Sequence, residues 1–206
     1  EGTAKYLNSP DTPIFNKSRV LYGIDTAKHS MRVNNFTCLV EGQVDLVMSQ
    51  QVSPNTVATS GTSLTPDHLQ LIKRFSDRLV FVFGSDGPGL ESAYKGSLMA
   101  LKQDFEVTIA QLPEGMDPAD VILKNVEQYK QAIKGAEDVF DLFLGIISRD
   151  KDGREQTKAI EEKLFPLIRA VDNPLEQDRY ISHIASKLNI TVDALTSRLH
   201  STKASN

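Results

Sequence analysis

The sequence predicts an α/β protein with a mainly parallel sheet flanked by helices, followed by a C-terminal helical subdomain. Two observations carry this. Between residues 36 and 125 short apolar runs alternate with segments of helical period, the order β-α-β-α-β-α-β-α that builds parallel sheets covered on both faces. From Ala136 the strand-like runs stop and every segment keeps helical spacing.

"FTCLVEG", Phe36 to Gly42, is a strand because apolar and β-branched residues run straight into Glu41 and Gly42. "VDLVMSQQ" follows as a short helix, and "NTVATSG" is a second strand closed by Gly61. In "TPDHLQLIKRFS" Thr65 is the N-cap and Pro66 takes the first helical position, with Leu69, Ile72 and Phe75 at helical spacing. "RLVFVFG", Arg78 to Gly84, is the third strand, with a helix after it from about Gly89 to Gln103. "FEVTIAQLP" is the fourth strand and "DPADVILKN" opens another helix. The helical part comprises "AEDVFDLFLGIIS", "TKAIEEKLFPLIRAV", "PLEQDRYISHIASKL" and "TVDALTSRLH", broken at Asn173-Pro174 and Asn189, with Thr191 capping the last. Residues 1–33 are rich in Pro, Asn, Ser and Lys and are assigned no helix or strand.

At 206 residues the chain holds one to two domains. With 40% hydrophobic and 24% charged residues it has the composition of an ordinary globular protein. The single cysteine, Cys38, excludes an internal disulfide and a cysteine-cluster zinc site, and suits a reducing, cytoplasmic setting. It sits inside a strand and reads as a small buried hydrophobe. No stretch approaches the roughly 20 apolar residues of a membrane helix, so no membrane partner is expected. The opening "EGTAKYLNSP" is no signal peptide, and it reads as a piece of something longer. A net charge of −4 argues against a protein that coats DNA. It leaves open an enzyme whose acidic centre binds metal and nucleotide.

Ligands of open α/β sheets gather beyond the carboxyl ends of the strands. Glu41, Asp86 and Asp117 all fall at that edge, and Asp45 lies four residues past Glu41 across a strand-to-helix turn. Magnesium takes oxygen ligands, commonly one or two carboxylates with water and phosphate. Acids at helix starts can also simply favour the helix dipole. As a set at one edge, these favour the metal. In "FVFGSDGPG" the glycines permit a tight turn and close phosphate approach.

The motifs "LVEGQVDLVMSQ", "VATSGTSLTPDHLQLIKR", "FVFGSDGPG" and "LPEGMDPADVI" resemble, in order and spacing, the Toprim domain of bacterial DNA primases of the DnaG type. "KYLNSP" and "LYG" resemble the primase-specific segment before that domain, and "EEKLFPLIRAVDNPLEQDRYISHIASKLNI" the helical bundle after it. The resemblance implies a Toprim-like sheet and a division into residues 1–33, the end of the N-terminal catalytic subdomain, 34–135, the Toprim domain, and 136–206, the helical subdomain. It implies metal-dependent, template-directed synthesis of RNA primers from ribonucleoside triphosphates on single-stranded DNA. Carried over by position, Glu41 and Asp86 are catalytic; Glu41, Asp45, Asp86 and Asp117 hold Mg²⁺ or Mn²⁺; Lys5 and Lys17 contact nucleotide phosphates or template. Asn8 and Tyr22 belong to the same segments without an assigned role. The replicative helicase is implied as a partner through a domain absent here, and the zinc-binding domain is also expected to be absent.

Two departures qualify the match. Gly84 stands where the family's Asp-x-Asp motif has its first aspartate, and Ala119, beside Asp120, stands where some members have a second acid after Asp-Pro. A lost carboxylate is a lost metal ligand, so weaker metal binding and weaker catalysis are expected. The alternative is a non-catalytic Toprim fragment that binds nucleic acid or a replication partner. Another Toprim enzyme, a nuclease or topoisomerase, is disfavoured by "KYLNSP" and "LYG". The Gly61–Ser63 turn either offers N–H groups to phosphate or is a plain strand-helix turn, and His29, His68, His183 and His200 have no ligand spacing and are assigned no function.

Overall fold

Strand β1 (Thr37–Val40) is buried along its whole length, with β2 (Thr56–Ala58) paired on one side and β3 (Arg78–Phe81) on the other, both parallel to it. The computed structural model describes residues 10, 12, 13, 15–84, 87–150 and 153–202. β4 (Glu106–Ile109) continues the parallel sheet beyond β3, and β5 (Glu137–Asp138) closes it, giving the order β2-β1-β3-β4-β5.

Successive strand side chains point to opposite faces, and here both faces are apolar. Leu39, Val57, Leu79, Phe81, Val107 and Ile109 enter one cluster; Cys38, Val40, Ala58, Val80 and Val82 enter the other. The first face is covered by α1 (Ile24–Asn34), α3 (Pro66–Lys73), α4 (Gly87–Leu101) and the C-terminal helices. The second is covered by α2 (Gln43–Gln50), α5 (Pro118–Lys124) and α6 (Val126–Lys134). The α/β fold with helices on both faces is therefore as the sequence predicts.

Four local features differ from the sequence reading. The sheet is mixed, because β5 runs antiparallel to β4, pairing Asp138 with Thr108; two residues are too few to show a strand period. α1 was not anticipated, although Ala27 and Met31 bury one stripe of it at four-residue spacing. The helix opened by "DPADVILKN" stops at Asn125, whose side chain accepts from the N–H groups of Glu127 and Gln128 and so caps α6. The segment expected as one helix over 157–171 is α8 (Gly153–Ala159), a π-helical stretch (Ile160–Leu164) and α9 (Phe165–Ala170). Pro166 has no N–H to give the carbonyl of Glu162. The Tyr94 hydroxyl lies 3.4 Å from that carbonyl and 2.9 Å from that of Lys163.

The rest of the C-terminal layer is α7 (Val139–Asp150), α10 (Pro174–Leu188) and α11 (Val192–Ser201). Its buried side chains, among them Phe140, Leu164, Ile168 and Ile184, belong to the same apolar cluster as the sheet residues Leu79 and Phe81. Arg169 closes the layer by donating to Leu199 O and Thr202 Oγ1, both at 2.6 Å, at the end of α11.

Gly96 lets α4 approach the sheet: a Cβ there would lie 2.6 Å from Phe81 Cε1. Alanine favours helices over glycine by about 1 kcal/mol, but overpacking a core costs about 1–3 kcal/mol. Gly96→Ala should therefore lower the denaturant midpoint; an unchanged or higher midpoint would show that α4 can lift from the sheet.

Candidate active site at the carboxyl edge of the sheet

The strand order reverses between β1 and β3, so their carboxyl ends flank the switch point where such sheets bind ligands. Glu41 is the first residue past β1 and is exposed. Past β3 the chain runs through buried Val82 and Phe83 to half-buried Gly84. Val82 N still donates to Leu39 O at 2.9 Å, so the two exits stay side by side. The loop after β2 joins the same edge, since Ser60 N donates to Glu41 O at 3.1 Å and Gln43 Nε2 to Ser60 Oγ at 2.7 Å. Ser60 and Gly61 adopt φ of 57° and 76°, a left-handed pair at which glycine is unstrained.

Asp45 lies in the first turn of α2, with Oδ2 accepting from Gly42 N at 3.2 Å and Oδ1 from Ala119 N at 3.3 Å. It thus ties α2 to the start of α5, a structural task its spacing from Glu41 did not disclose. Asp117 is the exposed N-cap of α5 and accepts from Asp120 N at 2.8 Å. Burial raises the Asp45 pKa first, and the charge of Asp117 raises it further; the N–H groups of Ala119 and Gly42 pull it down, and Glu41 adds a smaller upward push. Asp45 is therefore within electrostatic reach of both Asp117 and Glu41. Among the described residues no group of three or more His, Cys, Asp or Glu is arranged to hold a metal ion. Asp86 lies outside the described residues, so three of the four expected metal ligands can be placed.

Of the two expected phosphate contacts, Lys5 is likewise outside the described residues, as is Asn8. Lys17 begins a 3₁₀ turn (Lys17–Arg19) that rests on the first turn of α3. A little further on, Tyr22 exchanges backbone hydrogen bonds with Ala58 at 2.9 and 3.1 Å, adding an antiparallel bridge to the free edge of β2. His68, assigned no function from sequence, is buried in α3 with Nε2 2.8 Å from Lys17 O. Nothing local marks a partner 51 positions away. His183 pairs with Asp141 at 2.7 Å on the helical layer. Cys38 is fully buried, and burial pushes its thiol up to about 12, so it is inert as a nucleophile.

Comparison with known proteins gives a consistent relationship. A Toprim-like family model matches residues 38–122, one for the N-terminal domain of the DNA primase catalytic core matches residues 1–28, and one for the DnaB-helicase binding domain of primase matches residues 149–193. The last overturns the expectation that the helicase-binding domain is absent. The DNA primase of Listeria monocytogenes is 32% identical over 201 residues, covering 95% of this chain and 32% of that protein. The chain thus spans about a third of the length of the curated relatives it matches. The crystal structure of the Aquifex aeolicus primase (zinc binding and RNA polymerase domains) superposes with a TM-score of 0.80 at 25% identity, covering 95% of this chain and 47% of that one. The DnaG primase catalytic domain bound to ssDNA superposes with a TM-score of 0.75 at 27% identity, covering 90% and 62%.

The acid cluster gives a signed pH dependence. A carboxyl whose folded pKa is raised contributes stability that is complete below its unfolded pKa and lost as pH rises through the folded value. A divalent cation should restore that loss. Adding MnCl₂ at neutral pH should raise the unfolding temperature, and the gain should shrink as pH falls through the carboxylate range; the Asp45→Asn chain should show a smaller gain. A manganese effect independent of pH would remove Asp45 from the site.

Proposed function

Because this chain belongs to the DnaG-type bacterial DNA primase family, matching the Toprim-containing part of the catalytic core, we propose that it serves synthesis of short RNA primers on single-stranded DNA during replication. The observation that supports this reading is that Glu41, Asp45 and Asp117 lie at the same edge, where the charges of Asp117 and Glu41 add to burial in raising the Asp45 pKa.

Magnesium or manganese suits this donor set: every candidate ligand is a carboxylate, and hard oxygen donors are what these ions take. Glu41, Asp86 and Asp117 would hold the metal, with Asp45 behind them. When bound, the ion supplies neutralisation of phosphate charge and a lower pKa for the attacking hydroxyl. Glu41, exposed past β1, takes the proton from the 3′ hydroxyl as its oxygen bonds to the α-phosphate and pyrophosphate leaves. Asp45 keeps α5, and with it Asp117, at a set place relative to α2. Lys17 and Lys5 neutralise phosphates of nucleotide or template.

Gly84 offers no side-chain oxygen where the family has an aspartate, which lowers metal affinity and catalysis. That departure also favours a second reading, in which the chain binds nucleic acid or a replication partner without polymerising. Residues 149–193 would contact the replicative helicase in either case. No helix among the described residues is long and apolar enough to cross a membrane, and we place the protein in the cytoplasm with its template.

Restoring the acid separates the readings. Gly84→Asp should tighten Mn²⁺ binding by about tenfold or more in calorimetry and raise primer synthesis on a single-stranded template. Glu41→Gln should lower that synthesis by on the order of 10²–10³-fold. Tighter metal binding with no synthesis from any variant would favour the binding module; no metal binding by either chain would remove the metal site itself.

A further inference from the structure

The turn that carries Lys17 is fastened to the first turn of α3 three times. The Thr65 hydroxyl donates to Ser18 O at 2.6 Å, His68 Nε2 lies 2.8 Å from Lys17 O, and Arg19 pairs with Asp67 at 3.3 Å. The ion pair is exposed on both sides, 71% and 50%, and contributes little. The other two hold backbone carbonyls and so fix the path of the chain itself.

His68 is the unusual member. It is 0% exposed, and its Nδ1 is buried without a hydrogen-bond partner. A buried nitrogen left unsatisfied costs free energy that an apolar residue would avoid. The bond from Nε2 to Lys17 O is what the histidine provides in exchange. Burial lowers its pKa, opposed by the carbonyls of Lys17 and Val20; the neutral ring has one N–H, and it goes to Lys17 O.

The location gives this fastening a consequence. β2 is parallel to β1, so the loop leaving it opens at the carboxyl edge, where Ser60 N donates to Glu41 O, and that loop leads into the first turn of α3. With Tyr22 paired to Ala58, the segment is held to that edge at two places about five residues apart. We propose that His68 is a positioning residue: it holds the backbone of Lys17 at the carboxyl edge so that the lysine meets a phosphate group of the template strand or of the incoming nucleotide. This rests on the proposed role of Lys17 as a phosphate contact.

The test titrates the full chain and its Lys17→Ala, His68→Leu, His68→Gln and Lys17→Ala/His68→Leu variants. One arm uses a fluorescein-labelled oligothymidylate over a range of salt, the other ATP with manganese; the arm that Lys17→Ala weakens identifies the source of the phosphate. His68→Leu should weaken the same arm severalfold, and in the oligothymidylate arm both variants should flatten the salt dependence by about 0.7, the slope of one single-strand phosphate. The double variant should be no weaker than Lys17→Ala alone. His68→Gln, whose amide can still donate to Lys17 O, should recover binding. If His68→Leu melts earlier yet binds as the parent does, while Lys17→Ala binds weakly, histidine only packs and the proposal fails. If Lys17→Ala changes neither arm, the phosphate contact falls and the positioning role with it. Should His68→Leu not fold, Thr65→Val, with Thr65→Ser as the recovering change, carries the same expectations.

Discussion

The parallel pairing of β1 with β3 is the constraint on which the carboxyl edge depends. Both strands bury side chains on both faces, and a one-residue slip in register would exchange the two apolar sets. With register fixed by Cys38 facing Val80 and Leu39 facing Phe81, the two exits are held adjacent. Helices α2 and α3 then leave the same edge, because parallel neighbours must return by crossovers. The site is thus assembled from segments far apart in sequence by a purely apolar requirement.

Charge at that edge is divided between two supports. The acids come from the sheet and the helices on one face, with Asp45 bonded across to the start of α5. The basic segment comes from residues 17–22, which borrow their place from α3 and the free edge of β2. A chain of net charge −4 has no global field to attract a polyanion. Any attraction of a polyanion then depends on where individual cations are held, and the backbone bonds of residues 17–22 fix one such place.

The C-terminal helices share the apolar cluster of one sheet face, so they buttress that face, with α7 packed directly on β4. Tyr94 links the layers twice over: its ring meets Phe143 edge-on at 5.0 Å, and its hydroxyl reaches the carbonyls near Pro166. The proline that cannot continue the hydrogen-bond ladder is accommodated by a tyrosine from a different helix. The stretch matched by the helicase-binding model is, in this fold, also part of the support for the sheet.

The alternation of strands and helices, the caps at Thr65 and Thr191, the placing of Glu41 just beyond β1 and that of Asp117 at a helix start are legible in the sequence alone, because these follow from period and local backbone chemistry. The resemblance it carries added the family. Local pattern could not disclose β5, whose two residues form a strand only because β4 offers an open edge. Nor could it disclose the bond from Asp45 to Ala119 or from His68 to Lys17, since each joins positions 74 or 51 residues apart. Those partners are chosen by which apolar faces must be buried together, and a hydrogen bond across such distances exists only after the sheet has brought its ends to one edge.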